Sequence, residues 1–199
     1  MMKMNDYPKY VEINDDKFKI NTDFRVAIEC NRIAQDDTIG DYERALAIIY
    51  KLFGKKGLEA LHIHDKLLLM AKEYLSCGKK IDEDIDEKPD MDYIEDYSYI
   101  KTSFRSDYGI NLDNENMHWW EFFDLMNGLS NSEFGNCCIL NRIRNLRNYD
   151  TKDIKDSKER QKIEKAKQQV ALKRYKPKRK EATEEQKKSA EEFFNALGL

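Results

Sequence analysis

Glycine and proline are scarce in this chain, 8 and 3 of 199 residues, so little of it is set aside for tight turns or long linkers. No apolar run approaches the ~18 residues that a membrane-spanning helix requires. The opening residues, MMKMNDYPKY, lack the apolar centre of a secretory signal. Cys30, Cys77, Cys137 and Cys138 show no paired-motif spacing, and two of them are adjacent, which suits neither a disulfide framework nor a zinc knuckle. Reduced thiols in a cytosolic protein are the simplest expectation. No glycine-rich phosphate loop, serine elbow or cysteine–histidine constellation occurs, so the residues offer an enzymatic reading nothing to stand on. His62 and His64 lie two apart, whereas metal ligands on a helix favour spacings of three or four. Asp82, Asp84 and Asp86 begin like a calcium loop, but Glu87 and Tyr93 stand where that loop needs glycine and a terminal glutamate. No cofactor or metal is expected.

What is present is charge and helical periodicity. Hydrophobic residues make up 40% and charged residues 37%, as in a globular domain with much solvated helix surface. The net charge of −3 conceals two blocks. Between Asp82 and Asp96 there are nine acids and one lysine, and between Thr151 and Lys180 thirteen cations and four acids. Such blocks form solvated faces, meet partners, or neutralise one another.

The expected fold is mainly α: a compact helical domain over residues 1–150 with a short N-terminal β-hairpin, then a charged helical arm over residues 151–199. KYVEINDDKFKI alternates about an Asn14-Asp15-Asp16 turn, placing Val11, Ile13, Phe18 and Ile20 for a hairpin. Thr22 or Asp23 can cap a helix from Phe24. Tyr42, Ala45, Leu46, Ile49 and Phe53 draw one helical stripe, ended by Gly54 and Gly57. Leu67, Met70, Ala71 and Tyr74 repeat it before Gly78, and Tyr93, Tyr97, Ile100 and Phe104 before Gly109. Phe134, Cys137, Cys138, Ile139, Leu140 and Ile143 predict a deeply buried helix from about Ser132. The basic segment carries only a thin stripe, Ile163, Ala166 and Val170, and Pro177 ends it. Thr183 with Gln186 has capping-box spacing for a last helix bearing Ala190, Phe193, Phe194 and Leu197.

Both tryptophans fall in DYGINLDNENMHWWEFFDLMNGL, residues 107–129. On a 3.6-residue wheel Trp119, Phe122, Phe123 and Met126 share a face, flanked by His118 and Trp120, while Glu121 and Asp124 point away. Base stacking needs exposed aromatics on a basic platform; these rings lie opposite acids. Burying each gains roughly 2–3 kcal/mol, so Trp119, Trp120, Phe122, Phe123 and Met126 are assigned to the core. The basic segment could track phosphates, but it has one aromatic, Tyr175, and no base-reading module. Protein-facing use is favoured over nucleic acid.

The same segment resembles the bacteriophage gene-product-fifteen family of long-tailed phages. Tyr108, Gly109, Ile110 and Leu112 match its turn, Met117, His118, Trp119, Trp120 and Phe122 its helix, and Gly128 and Leu129 its ending. The hairpin followed by Thr22–Arg25 and the lysine-rich helix after Asp150 are also similar, so the resemblance spans residues 9 to about 176. It implies a non-enzymatic tail-assembly factor in the bacterial host cytoplasm, a chaperone whose partners are the tape-measure and tail tube proteins. Apolar grooves between helices would accept tape-measure helices. Lys162, Lys165, Lys173 and Arg174 would steer the basic arm to acidic surfaces. A structural virion component and a nucleic-acid-binding protein remain the alternatives.

Overall fold

A computed structural model describes residues 7–79, 89–131 and 136–173. Residues 82–88 of the acidic block and the expected terminal helix bearing Phe193 and Phe194 lie outside them. Among the described residues there are seven α-helices and one two-stranded antiparallel sheet, so the protein is mainly α.

Strands β1 (Tyr10–Ile13) and β2 (Asp16–Lys19) pair with Val11 opposite Phe18 and Ile13 opposite Asp16. Asn14 and Asp15 both take positive φ, 49° and 70°, as a two-residue turn between twisted strands demands. Asp23 caps α1 (Phe24–Ala34), its carboxylate accepting the Arg25 N–H at 2.8 Å. Helix α1 buries Phe24, Ala27, Ile28, Cys30 and Ile33 at helical offsets against α2.

Helix α2 (Asp41–Glu59) departs from its expected form. It does not end at Gly54 but breaks there, at φ 66° and ψ −158°, and resumes to Glu59. Its core face is Ile48, Ile49, Leu52 and Phe53, and Tyr42 is corrected to an exposed position at 65% accessibility. A one-turn 3-10 helix, Leu61–Ile63, leads to α3 (His64–Leu75), which buries Leu67, Ala71 and Tyr74.

Helix α4 spans Tyr97–Tyr108 and stops at Gly109, whose φ of 71° suits glycine. Tyr93 precedes it instead of belonging to it. The Asp92 carboxylate takes the Ile94 and Glu95 N–H groups, which holds that stretch as a turn. Helix α5 is Trp119–Asn127. Helix α6 begins at Ile139, not near Ser132, and residues 132–135 are outside the described set. It buries Leu140 and Asn141, with Cys138 before it, while Ile139 and Ile143 are half-buried. The expected deep burial is therefore one-faced, because Arg142, Arg144 and Arg147 occupy the rest of the helix. Helix α7 (Ser157–Gln169) buries none of its own residues.

The centre is aromatic. Phe122 stacks between Phe24 at 4.7 Å and Phe104 at 5.1 Å, and Trp119 lies 5.7 Å from Phe122. Helices α1, α4 and α5 thus meet on a single ring system.

Candidate functional site

The double-tryptophan segment is where distant parts of the chain are tied together. The His118 ring caps α5: its Nδ1 accepts the Trp120 N–H at 3.0 Å, and its Nε2–H donates to the Pro8 carbonyl at 3.0 Å. One ring nitrogen accepts and the other donates, which requires the neutral imidazole. Beside it, Trp119 N–H donates to the Thr22 carbonyl at 2.8 Å, and Phe24 N–H to the Met117 carbonyl at 3.1 Å. The TDFR and MHWW motifs are therefore zipped backbone to backbone. Both indoles then reach the end of α3, Trp119 Nε1–H to the Leu75 carbonyl at 3.0 Å and Trp120 Nε1–H to the Tyr74 carbonyl at 2.9 Å. The last carbonyls of a helix have no intrahelical donors, and the tryptophan pair supplies them. Arg25 clamps the preceding loop through the Leu112 and Glu115 carbonyls, at 2.7 and 2.8 Å.

Trp119, Phe122 and Met126 are buried. Trp120 and Phe123, assigned to the core by their spacing, are half-buried at its rim, where Tyr7, Tyr74 and Lys79 pack on them. This junction is structural: it joins α1, α3 and α5.

It also carries a pH dependence. Burial depresses the His118 pKa from 6.5, and Lys9 adds to this, while the Pro8 hydrogen bond and Glu121 oppose it. Below about 6.5 the unfolded chain takes up a proton that the folded ring resists. The stability due to His118 is thus complete above that pH and lost as pH falls through the depressed folded value. Thermal melts between pH 8 and 5 should show wild type losing more stability than His118→Asn, a non-titrating cap. Parallel curves would refute the assignment.

The other candidate surface is α7. Lys158, Lys162 and Lys165 recur at offsets 0, 4 and 7 on its outward face, all exposed. Its inner side is held to the body. Arg147 donates to the Val170 carbonyl at 2.6 Å, Thr151 to the Glu164 carboxylate, and Lys167 to the Tyr149 carbonyl. Lys173 is docked by its backbone N–H, which donates to Glu95 at 2.8 Å, with its side chain exposed. Arg174 lies outside the described residues.

The acids Asp90 and Asp96 are engaged by α6. Arg144 pairs with Asp90 at 3.0 Å, and Arg147 grips buried Asp96 with two bonds of 2.7 Å. Both sets of charge were visible in the sequence, but the spacing of Arg144 and Arg147, three apart on one face, was the overlooked signal. Among the described residues, no acid pairs with Lys158, Lys162 or Lys165.

The histidines of LHIHD separate: His62 is exposed, and His64 Nε2 hydrogen-bonds the Leu58 carbonyl at 2.9 Å. Burial pushes the Cys30 and Cys77 thiols up to about 12, which leaves them poor nucleophiles near neutrality. Among the described residues, no three His, Cys, Asp or Glu side chains gather to hold a metal ion, and no helix is long and apolar enough to cross a membrane.

No curated protein and no solved structure matches the chain. The profile of a family described as Bacteriophage Gp15 protein matches residues 4–172, a span that takes in the hairpin, the TDFR–MHWW junction and α7. The chain therefore belongs to the Bacteriophage Gp15 protein family, a family of phage structural and morphogenesis proteins.

Proposed function

We propose that this protein is a non-enzymatic assembly factor for a phage or prophage tail, a chaperone that holds the tape-measure protein in the bacterial cytoplasm until tail tube subunits join it. The observation that carries this reading is the outward lysine row of α7, charged and exposed on a helix whose inner side is hydrogen-bonded to the helical body. Such a row attracts acidic protein surfaces from a distance and sets orientation on arrival. The Asp90–Asp96 acids support the reading too, since their arginine partners on α6 keep them from cancelling the row.

Co-expression with the tape-measure and tube proteins, followed by pull-down in moderate salt, tests it. The tape-measure protein should be recovered, and should be soluble only when this chain is present. An insoluble tape measure with neither partner retained overturns the reading. Mass spectrometry of purified particles separates a departing chaperone from a virion component.

Neutralising Lys158, Lys162 and Lys165 to glutamine should weaken capture roughly tenfold at low salt. The loss should be much smaller at 0.5 M salt, where screening shortens the reach of charge to a few ångströms. Titration calorimetry giving equal affinities at low salt removes α7 from the mechanism. The same row could follow phosphates, in which case fluorescence anisotropy on nucleic acid would fall steeply with salt.

A further inference from the structure

We propose that the end of β2 and the first segment of α2 form a docking groove for an amphipathic helix with acidic flanks. The groove, about 660 Å³, lies between Lys19–Thr22 and Tyr50–Gly54. Nearly buried Ile20, Leu52 and Phe53 give it an apolar floor, and the charged residues lining it are both lysines, Lys19 and Lys51, the latter 3.9 Å from the Glu29 carboxylate. Tyr50, 54% exposed, stands at its mouth. From there an apolar row runs back along α2 through half-buried Leu46 to Tyr42, 65% exposed, with Ile39 just before the helix. Residues 42, 46 and 50 are spaced by four, so the row extends about 12 Å at 1.5 Å per residue, two turns of an opposing helix.

The backbone decides between a docked helix and an added strand. Strand addition needs free N–H and C=O groups along an edge. Here Ile20 N–H donates to the Lys9 carbonyl at 2.9 Å and Asn21 N–H to the Leu52 carbonyl at 2.7 Å, and the Thr22 carbonyl accepts from Trp119. Those three groups are spent within the protein, so recognition falls to side chains: apolar anchors against Tyr42, Leu46 and Tyr50, carboxylates toward Lys19 and, in competition with Glu29, toward Lys51. Gly54 lies at the mouth. Its φ of 66° breaks α2, and a Cβ built there would meet nothing within 4 Å.

The groove deepens the proposed function, resting on it for the partner's identity and not for its chemistry. The test therefore uses a designed probe, a fluorescent 18-residue peptide with leucines at i, i+3, i+4 and i+7 and glutamates elsewhere, beside a lysine version of it. The full-length protein should bind the acidic peptide at least tenfold more tightly than the basic one. Binding should fall at least tenfold in the Tyr50→Glu/Lys19→Glu double variant, and survive in Lys162→Gln/Lys165→Gln. Both altered pairs are exposed, and unchanged melts establish that each variant is folded. Equal binding of the two peptides, absence of binding, or an unaffected groove variant overturns the proposal. If the tape-measure protein is recovered but the peptide result is negative, the groove alone falls. If the peptide binds and the tape measure is not recovered, the groove stands and the chaperone reading falls.

Discussion

Trp119→Ala is expected to cost about 3–5 kcal/mol of stability, the range for removing a large aromatic from a core. Trp119 is 1% exposed and stacks on Phe122, which itself lies between Phe24 and Phe104. The substitution empties one end of the ring system joining α1, α4 and α5, and those rings cannot close the gap without leaving one another. It also removes the donor to the Leu75 carbonyl, leaving the end of α3 without that partner. For a chain of this size the melting temperature should drop by on the order of ten degrees. Trp119→Phe separates the contributions, since it keeps most of the ring and still loses the indole N–H. A Trp119→Ala melt within one or two degrees of wild type would mean that this face is a binding surface and not a core.

Much of this junction was legible in the sequence, but not its purpose. Helical spacing placed Trp119, Phe122 and Met126 on one buried side correctly. It could not place the two indole N–H groups, which serve carbonyls more than forty residues earlier at Tyr74 and Leu75. Periodicity reports the direction of a side chain from its own helix and says nothing of the element it meets. Trp120 and Phe123 show the same limit from the other side, for their spacing is apolar while their neighbours leave them at the rim. The hairpin was readable because alternation and a two-residue turn are local. The stripe on α2 misled at Tyr42, where an apolar row at the edge of the core face continues past the neighbours that cover it.

The candidate sites were less legible, because each depends on which charges are consumed. Two blocks of opposite sign allow, from the sequence, that one neutralises the other. Instead the described acids at Asp90 and Asp96 are taken by arginines from α6, a helix expected from its spacing to be deeply buried. Lys162 and Lys165 are exposed, while the Lys173 backbone N–H donates to the Glu95 carboxylate. The α2 groove had no sequence signal, since it is made by the break at Gly54 and by the path of the chain after β2.

Arg147→Met should be nearly as damaging as the tryptophan change, at about 3–5 kcal/mol, because it strands a buried carboxylate. Asp96 is 1% exposed and holds Arg147 through two 2.7 Å bonds, while also accepting the Asp92 N–H at 3.0 Å. The same guanidinium donates to the Asp90 carbonyl at 2.8 Å and the Val170 carbonyl at 2.6 Å, so it joins the loop before α4, the end of α6 and the end of α7. Burial works against the Arg147 charge, and the Asp96 carboxylate more than offsets this, raising its pKa. Adding Asp96→Asn to Arg147→Met removes the stranded charge yet keeps an acceptor for Asp92, so the double variant should regain a large part of the lost stability. Its α7 should still exchange amide hydrogens faster than wild type, since Val170 has lost its donor. Urea melts of the single and double variants, with hydrogen exchange on α7, read both effects. A single variant within 1 kcal/mol of wild type would mean that Asp96 finds another partner, and unchanged exchange would mean that α7 is held without Arg147.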